Sequence, residues 1–283
     1  MPRTSPTVRR RRLAASLRRL RRDAGKTREE VADYVGCSPV TITRIESAQS
    51  GARVGDVARM LELFGVDGQE KDSLLQVARE ARQRGWWQRY TSAMPEWFST
   101  YVGLESEADS LRGYDVDVIP GLLQTEDYMR ALLSSSLQPV AAEEVERRVE
   151  VRKTRQADAL DSDTPPKVWQ IVDEGALRRR VGDVDVHRDQ LERLRGFSKL
   201  GNVTLQVLPF DAGAYVQGAF TILGFAEALD PDIVYVEYPT GALYLEEPDE
   251  ITTYTLVFDH LRAAALSPSR SLALLSDIAS ALR

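Results

Sequence analysis

Cysteine occurs once in the 283 residues, at Cys37, and histidine twice, at His187 and His260. A single cysteine excludes an internal disulfide and any multi-cysteine metal centre. The chain has no apolar run of the roughly 18 residues that would mark a membrane-spanning helix, so no membrane role is expected. The basic N-terminus lacks the apolar core of a signal peptide, which makes the cytoplasm, in the vicinity of the nucleoid, the expected compartment. Also missing are the HExxH, GxSxG, phosphate-loop and dinucleotide-binding patterns. The two histidines fall in separate helical stretches, VHRDQ and FDHLRAAAL, and read as surface residues. Asp173 and Glu174 stand at a helix start, where acidic residues act as caps and dipole partners. Asp115 and Asp117 read as solvated. No catalytic set, metal site or cofactor is therefore expected, and the chain reads as something other than an enzyme.

What is present begins with an uneven charge. Residues 1–53 carry thirteen Lys/Arg against five Asp/Glu, a net +8, which leaves −14 on the other 230 residues of a chain whose total is −6. A basic head on an acidic body points to a polyanionic partner for the head alone. Within the head, TREEVADYVGCSPVTITRIESA (27–48) reads as two short helices joined by a tight turn. Thr27 and Glu30 have the spacing of a capping box. Val31, Ala32 and Val35 form an apolar stripe, and Gly36 ends the helix, because glycine takes the left-handed cap at little cost. Ser38 caps the second helix and Pro39 suits its first turn. Ile42 and Ile45 face inward, leaving Pro39, Val40, Thr41, Thr43 and Arg44 outward. A short helix with an outward face of small, apolar and hydroxyl side chains plus one arginine has the character of a major-groove reader. A helical hairpin inside a larger bundle is the alternative.

Helical spacing extends on both sides of this pair. Leu13, Leu17 and Leu20 lie on an arginine-rich helical rod from Val8 to Arg22; residues 1–7 read as disordered, and in the domain division residues 1–12 are set apart as a flexible basic arm. Gly55–Phe64 and Lys71–Arg84 supply a fourth and a fifth helix, so the first domain is expected to be all-α over 13–84. The stretch LRRLRRDAGKTREEVADYVGCSPVTITRIESAQ resembles the repressor-type (XRE/Cro/C1 family) helix-turn-helix domain over roughly residues 13–66. The resemblance implies double-stranded DNA as partner and homodimers on inverted repeats. It implies phosphate contacts from Thr27 and Arg28, and base or adjacent phosphate contacts from Ser38, Pro39, Val40, Thr41 and Arg44, with Arg53 in the next loop adding a backbone contact. It also implies an ion pair between Arg21 and Glu46. Many members of that family place glutamine at the first two base-facing positions. Pro39 and Val40 cannot donate hydrogen bonds there, which leaves apolar contact with thymine methyls.

From residue 85 to 283 the pattern is that of an α+β domain with a mainly antiparallel sheet. Trp86, Trp87, Tyr90, Trp97, Phe98 and Tyr101 crowd sixteen residues, as a hinge or dimer seam or, alternatively, a stacking platform. Helices are expected over 125–133, 143–160, from Asp173 to near Gly182, and over 186–199, 250–265 and 269–282. In the second of these, Glu143/Arg147 and Glu144/Arg148 have the spacing of supporting pairs. Strands are expected at 168–172, 203–208, 219–225, 233–238 and 242–246, the last four as an antiparallel meander. Val203, Leu205 and Val207 alternate with Thr204 and Gln206, as in a half-buried strand.

The segments IPGLLQT, VRKTRQ, DEGALRR, QLERL, VTLQVLPFDAGAY, VYVEYPTG and FDHLRAAALSPSRS resemble a domain attached to such heads in actinobacterial regulators. That domain is catalogued as of unknown function, and some members are called antitoxin-like. The resemblance implies a transcriptional regulator with a small partner protein encoded nearby. A ligand pocket is expected where IPGLLQT meets the DAGAYVQG loop, with Gln124, Thr125, Tyr215 and Gln217 as its polar groups and Leu122, Leu123 and Phe220 as walls. Packing of a helix onto the sheet accounts for the same residues equally well. An enzyme domain tethered to DNA by its head is the alternative function, and a catalytic set would distinguish it.

Overall fold

The computed structural model describes residues 6–82, 85–135, 140–214, 216–226 and 231–282. The chain divides between Gln88 and Arg89 into two compact units.

The first unit is built from five helices: α1 (Pro6–Asp23), α2 (Arg28–Val35), α3 (Pro39–Glu46), α4 (Val54–Leu63) and α5 (Gly68–Glu80). Each contributes one apolar stripe to a common core, including Leu13, Leu17, Val31, Val35, Ile42, Ile45, Met60, Leu61 and Leu74. The expected flexible arm is corrected over residues 6–12, which continue α1. Val8 is buried there, and Arg9 pairs with Glu80 of α5 at 3.3 Å, so the basic run is held as a helix by packing along one side. Residues 1–5 of that arm lie outside the described residues.

The second unit is a six-stranded mixed sheet with helices. Its strands are β1 (Ser110–Asp115), β2 (Lys167–Asp173), β3 (Val203–Leu208), β4 (Phe220–Gly224), β5 (Ile233–Tyr238) and β6 (Gly241–Leu245). The spatial order is β3-β2-β1-β4-β5-β6. β1, β2 and β3 are parallel, whereas the β1–β4, β4–β5 and β5–β6 pairings are antiparallel. The helices are α6 (Glu96–Glu105), α7 (Glu126–Ser134), α8 (Ala142–Leu160), α9 (Glu174–Arg178), α10 (Val184–Phe197), α11 (Pro248–Ala264) and α12 (Pro268–Ala281). A 3-10 segment, Trp86–Ala93, spans the boundary between the units.

The expected four-strand meander is corrected at β3, which is an edge strand separated from β4 by β2 and β1. α7 and α8 lie between β1 and β2, and α9 and α10 between β2 and β3. Helical crossovers of this kind return the chain parallel to the strand it left. β1 was not expected as a strand. β3 is also buried on both faces, not one. Gln206 is covered because its carboxamide accepts from Trp169 Nε1 at 2.8 Å and donates to Leu266 O at 2.9 Å. α9 stops at Arg178, short of the expected end near Gly182. Arg147 pairs with Glu144 at 2.8 Å, and Glu144 also holds Arg148 at 2.9 Å. β5 and β6 are joined by a two-residue link between Tyr238 and Gly241.

The two sheet faces differ in chemistry. In-register neighbours share a face. One face carries Tyr114, Ile171, Leu208, Phe220, Ile222 and Val234, which pack with Phe258 and Leu261 of α11. The opposite face carries the row Gln170, Gly113, Thr221 and Tyr235. The Tyr101 ring of α6 lies 4.2 Å from that of Tyr235.

Candidate nucleic-acid interface

Local chemistry defines the ends of α2 and α3. The Thr27 hydroxyl accepts from Glu30 N at 3.2 Å and the Glu30 carboxylate accepts from Thr27 N at 2.8 Å, which closes the capping box. Gly36 terminates α2 at φ 76°, a left-handed conformation that side chains resist. Ser38 Oγ accepts from Thr41 N at 3.2 Å and lies 2.9 Å from Thr41 Oγ1, so both hydroxyls are held at the start of α3. Thr43 Oγ1 donates to Pro39 O at 3.1 Å.

A buried charge orients α3 on α1. The Glu46 carboxylate accepts from Arg21 Nε at 2.6 Å and from Arg21 Nη2 at 3.1 Å. Arg28 Nε donates to the same carboxylate at 3.0 Å, and Arg21 Nη1 donates to Lys26 O at 2.8 Å. Burial pushes the Glu46 carboxyl up, but the hydrogen bonds and charges of Arg21 and Arg28 outweigh it and hold the group below the usual carboxylate range. The expected Arg21–Glu46 pair is thus present, with Arg28 as an unexpected third member. Arg28 therefore has one edge of its guanidinium committed to Glu46 while its side chain remains 41% exposed.

With Ile42, Ile45 and Glu46 turned inward, the other side of α3 faces solvent. Ser38, Pro39, Val40, Thr43 and Arg44 are exposed there, and Thr41 is half-buried beside Ser38. Val40 is 66% exposed, which leaves its methyls free for apolar contact with a partner. Thr27, at the start of α2, and Arg53, in the loop before α4, are exposed too. Arg28, at the start of α2, lies beside Glu46 at the end of α3, whereas Ser38, Pro39 and Val40 occupy the opposite end of α3.

The expected ligand residues of the second unit are placed differently. Gln124 is buried. Its Nε2 donates to Ile119 O at 2.6 Å, and its Oε1 accepts from Arg152 Nη1 at 2.7 Å. The Thr125 hydroxyl caps α7 through Tyr128 N, and Thr125 N donates to Gln190 Oε1 at 2.6 Å. Gln156 Nε2 donates to the carbonyls of Gly121, Leu122 and Gln124, and Gln190 Nε2 donates to Leu123 O. Side chains of α8 and α10 therefore satisfy the irregular backbone 119–125. The loop after β3 is anchored elsewhere: Ala212, Ala214 and Val216 pack in the cluster that contains Phe258 and Leu261 of α11. Gln217 is exposed in that loop, and Tyr215 lies outside the described residues. Phe220 belongs to the α11 cluster, while Leu122 and Leu123 belong to the glutamine-clamped segment.

Two titratable residues are corrected outright. His187 is fully buried, with its Nε2 2.8 Å from Leu177 O and no partner for Nδ1 among the described residues. Asp115 is half-buried, and burial pushes its carboxyl up to about 7 against the pull of the hydrogen bond from Gln170. Charge patterning along a single strand or helix does not report what neighbouring elements cover, which is why both read as solvated. His260 is exposed on α11, as expected. Tyr101 of the aromatic stretch is buried against the sheet and unavailable for stacking on a base. Among the described residues, no helix is long and apolar enough to cross a membrane.

Comparison with known families assigns both units. A helix-turn-helix domain model matches residues 12–74, and a domain of unknown function (DUF5753) matches residues 98–277. Searches of curated proteins and of solved structures each return no significant match.

Proposed function

The chain belongs to the DUF5753 family and carries a helix-turn-helix domain, and from that premise we propose that it is a sequence-specific transcriptional regulator of the repressor (XRE) type. It works at the nucleoid in the cytoplasm as a homodimer on an inverted repeat. Its second unit is an antitoxin-like module that senses a small protein partner or a ligand. The observation that carries the DNA reading is the two-sided character of α3. Its inner side is held by Ile42, Ile45 and the Arg21–Glu46–Arg28 cluster, so its outer side can present Val40, Thr43 and Arg44 in one orientation. A short, rigidly seated helix with such an outer side suits the major groove.

The reading of the second unit as non-catalytic draws support from its histidines. His187 is sealed inside the fold and His260 stands exposed on another helix, so neither has the access and the partner that acid–base work requires.

Selection of bound sequences from random duplex DNA by the purified full chain tests the proposal. The expected product is an inverted repeat whose half-sites lie one helical turn apart, about 34 Å. Enrichment of an isolated half-site would remove the dimer from the proposal, and no enrichment at all would remove sequence-specific binding.

A further inference from the structure

Four arginines in a row, Arg9 to Arg12, stand in the opening turns of α1. That end of a helix carries the positive pole of the backbone dipole, so cations there are unfavourable and carboxylates favourable. The first turn of α1 holds no acidic residue to offset them. Successive helical positions turn by about 100°, so neighbouring arginines meet different parts of the unit. Arg9 faces α5 and pairs with Glu80 at 3.3 Å. Arg10 faces the loop between α3 and α4: a Cβ built on Gly51 would lie 3.8 Å from its Nε.

Arg10 differs from Arg9 in having no counter-charge. No carboxylate lies within ion-pair distance of it among the described residues, and its Nε is shut off from solvent without a hydrogen-bond partner there. The residue as a whole is half-buried, so the outer part of its guanidinium still meets solvent. A polar nitrogen enclosed without a partner costs stability. The neighbouring loop cannot supply an anion, because residues 47–53 read SAQSGAR and contain no carboxylate.

That loop is tied to the end of α3. Ser50 N donates to Arg44 O at 3.1 Å, and Ala48 N donates to Ile45 O at 3.0 Å. Ala48 sits at φ 58°, in the left-handed region, and is the only residue other than glycine to do so among the described residues. A backbone held there against its side chain is strained, and such strain collects at functional sites. Arg53 is exposed and closes the loop at the start of α4. Arg10 therefore lies over a loop that carries Arg53 and whose shape is fixed to the helix that carries the DNA reading.

We propose that Arg10 is a DNA-contacting residue whose guanidinium takes a backbone phosphate beside the α3–α4 loop, at the edge of the groove that α3 enters. The contact is the same on every sequence, because phosphate carries no base identity. The helix-turn-helix match begins at residue 12, so Arg10 extends the footprint from outside the matched residues. Arg10 in this role presupposes the DNA-binding reading above.

Affinity of the full chain across a sodium chloride series tests this, on the duplex enriched by selection and on a random duplex. Arg10→Gln is expected to lower the salt slope by about 0.9 for each half-site, the amount that one phosphate contact contributes. Affinity should fall by the same factor on both duplexes, with the preferred sequence unchanged. Arg10→Lys, which keeps the charge, should keep the wild-type slope. Arg19→Gln is the control: Arg19 lies on the same helix but is already paired with Asp23 and Glu70, and its loss should leave the slope unchanged. A wild-type slope in Arg10→Gln overturns the contact and leaves the DNA-binding reading intact. Equal losses in Arg10→Gln and Arg10→Lys overturn it as well, since they are the mark of a packing role. A changed base preference in Arg10→Gln would move the residue from phosphate to a base edge and overturn the assignment. A wild type that binds neither duplex removes the DNA-binding reading and the role of Arg10 with it.

Discussion

Both units contain a buried arginine–glutamate pair, and the two pairs are used differently. In the first unit Glu46 is almost wholly enclosed, and its cations are graded: Arg21 is 11% exposed at its side chain and Arg28 is 41% exposed. The pair lies at the C-terminal end of a short helix, and its effect is to fix the direction in which Arg44 and Val40 point. In the second unit Arg155 and Glu105 are 10% and 2% exposed, with two aromatic rings against the guanidinium. Burial works against the Arg155 charge, but Glu105 outweighs it and holds the group above the ordinary arginine range. That pair joins α6 to α8 beneath the sheet. The same chemistry thus orients a recognition surface in one unit and closes an interior in the other.

Breaking each pair on one side measures the difference. Glu105→Ala is expected to cost about 3–5 kcal/mol in chemical denaturation, because Arg155 is stranded in the interior. Glu46→Ala should fall at the lower end of that range, since Arg28 can turn to water. Replacing both Arg155 with Met and Glu105 with Leu should recover most of the loss, as buried pairs are often replaceable by apolar residues. A double variant no better than Glu105→Ala would mean that the pair's geometry, and not its charge balance, holds α6.

Removing the side chain that the first pair orients should leave stability alone. Arg44→Ala is expected to cost about 1–3 kcal/mol in binding to the selected operator and to relax preference at one base pair, with unfolding changed by less than about 0.5 kcal/mol. Arg28→Ala should weaken selected and random DNA alike and lower the salt slope. Equal losses on both DNAs for Arg44→Ala would place Arg44 on phosphate instead.

Caps give a smaller comparison. Ser38→Ala and Thr125→Ala each remove a hydroxyl that accepts from a helix amide, a change worth about 1 kcal/mol. The Ser38 variant should also bind operator less well, whereas the Thr125 variant should bind it normally. Normal binding by both would show that the first turn of α3 needs no cap to read DNA.

The smallest expected effect is a pH slope in the wild type, because two buried groups oppose each other. Asp115 has a folded pKa of about 7 against 3.8 for the free group, so the neutral form is favoured in the fold. Its contribution is complete below about pH 4 and is lost as pH rises to 7. Its surroundings are Gln170 on β2, Arg155 on α8, Glu237 on β5 and Asp117 just beyond β1. His187 is shifted the other way: burial lowers its pKa from 6.5, so stability is present above that value and falls as the pH drops. Asp115→Asn should expose the histidine slope, with stability increasing from pH 5 to 7. His187→Asn should expose the aspartate slope, with stability decreasing over the same range. Identical slopes in all three proteins would exclude both groups as the titrating sites.

The first unit was legible because its signals are local. The capping box at Thr27 and Glu30, Gly36, Ser38 and the spacing of Ile42 and Ile45 act within one or two turns, and the structure places each as read. The one long-range feature anticipated, Arg21 with Glu46, came from family resemblance; the third member, Arg28, did not. The second unit was legible in five of its six strands and in its helices from α7 onward, whereas α6 (Glu96–Glu105) fell in a stretch read only for its aromatic residues. β1 was missed because SLRGYD breaks apolar alternation with a glycine and charged residues, and the reason for that glycine is Gln170, 57 positions away in the chain. Sequence reading placed Gln124 in a binding site, and the structure gives its carboxamide to Ile119 O and Arg152.

The sequence by itself determined most of the helices and five of the six strands, where α3 begins and ends, and which of its side chains face outward. These follow from backbone preferences and apolar periodicity over a few residues. Tertiary structure alone decided the strand order, the burial of Gln206 and His187, and the hydrogen bond from Gln170 to Asp115. Each depends on which distant element covers a given face, and burial sets the energy of a polar group only once that cover is in place.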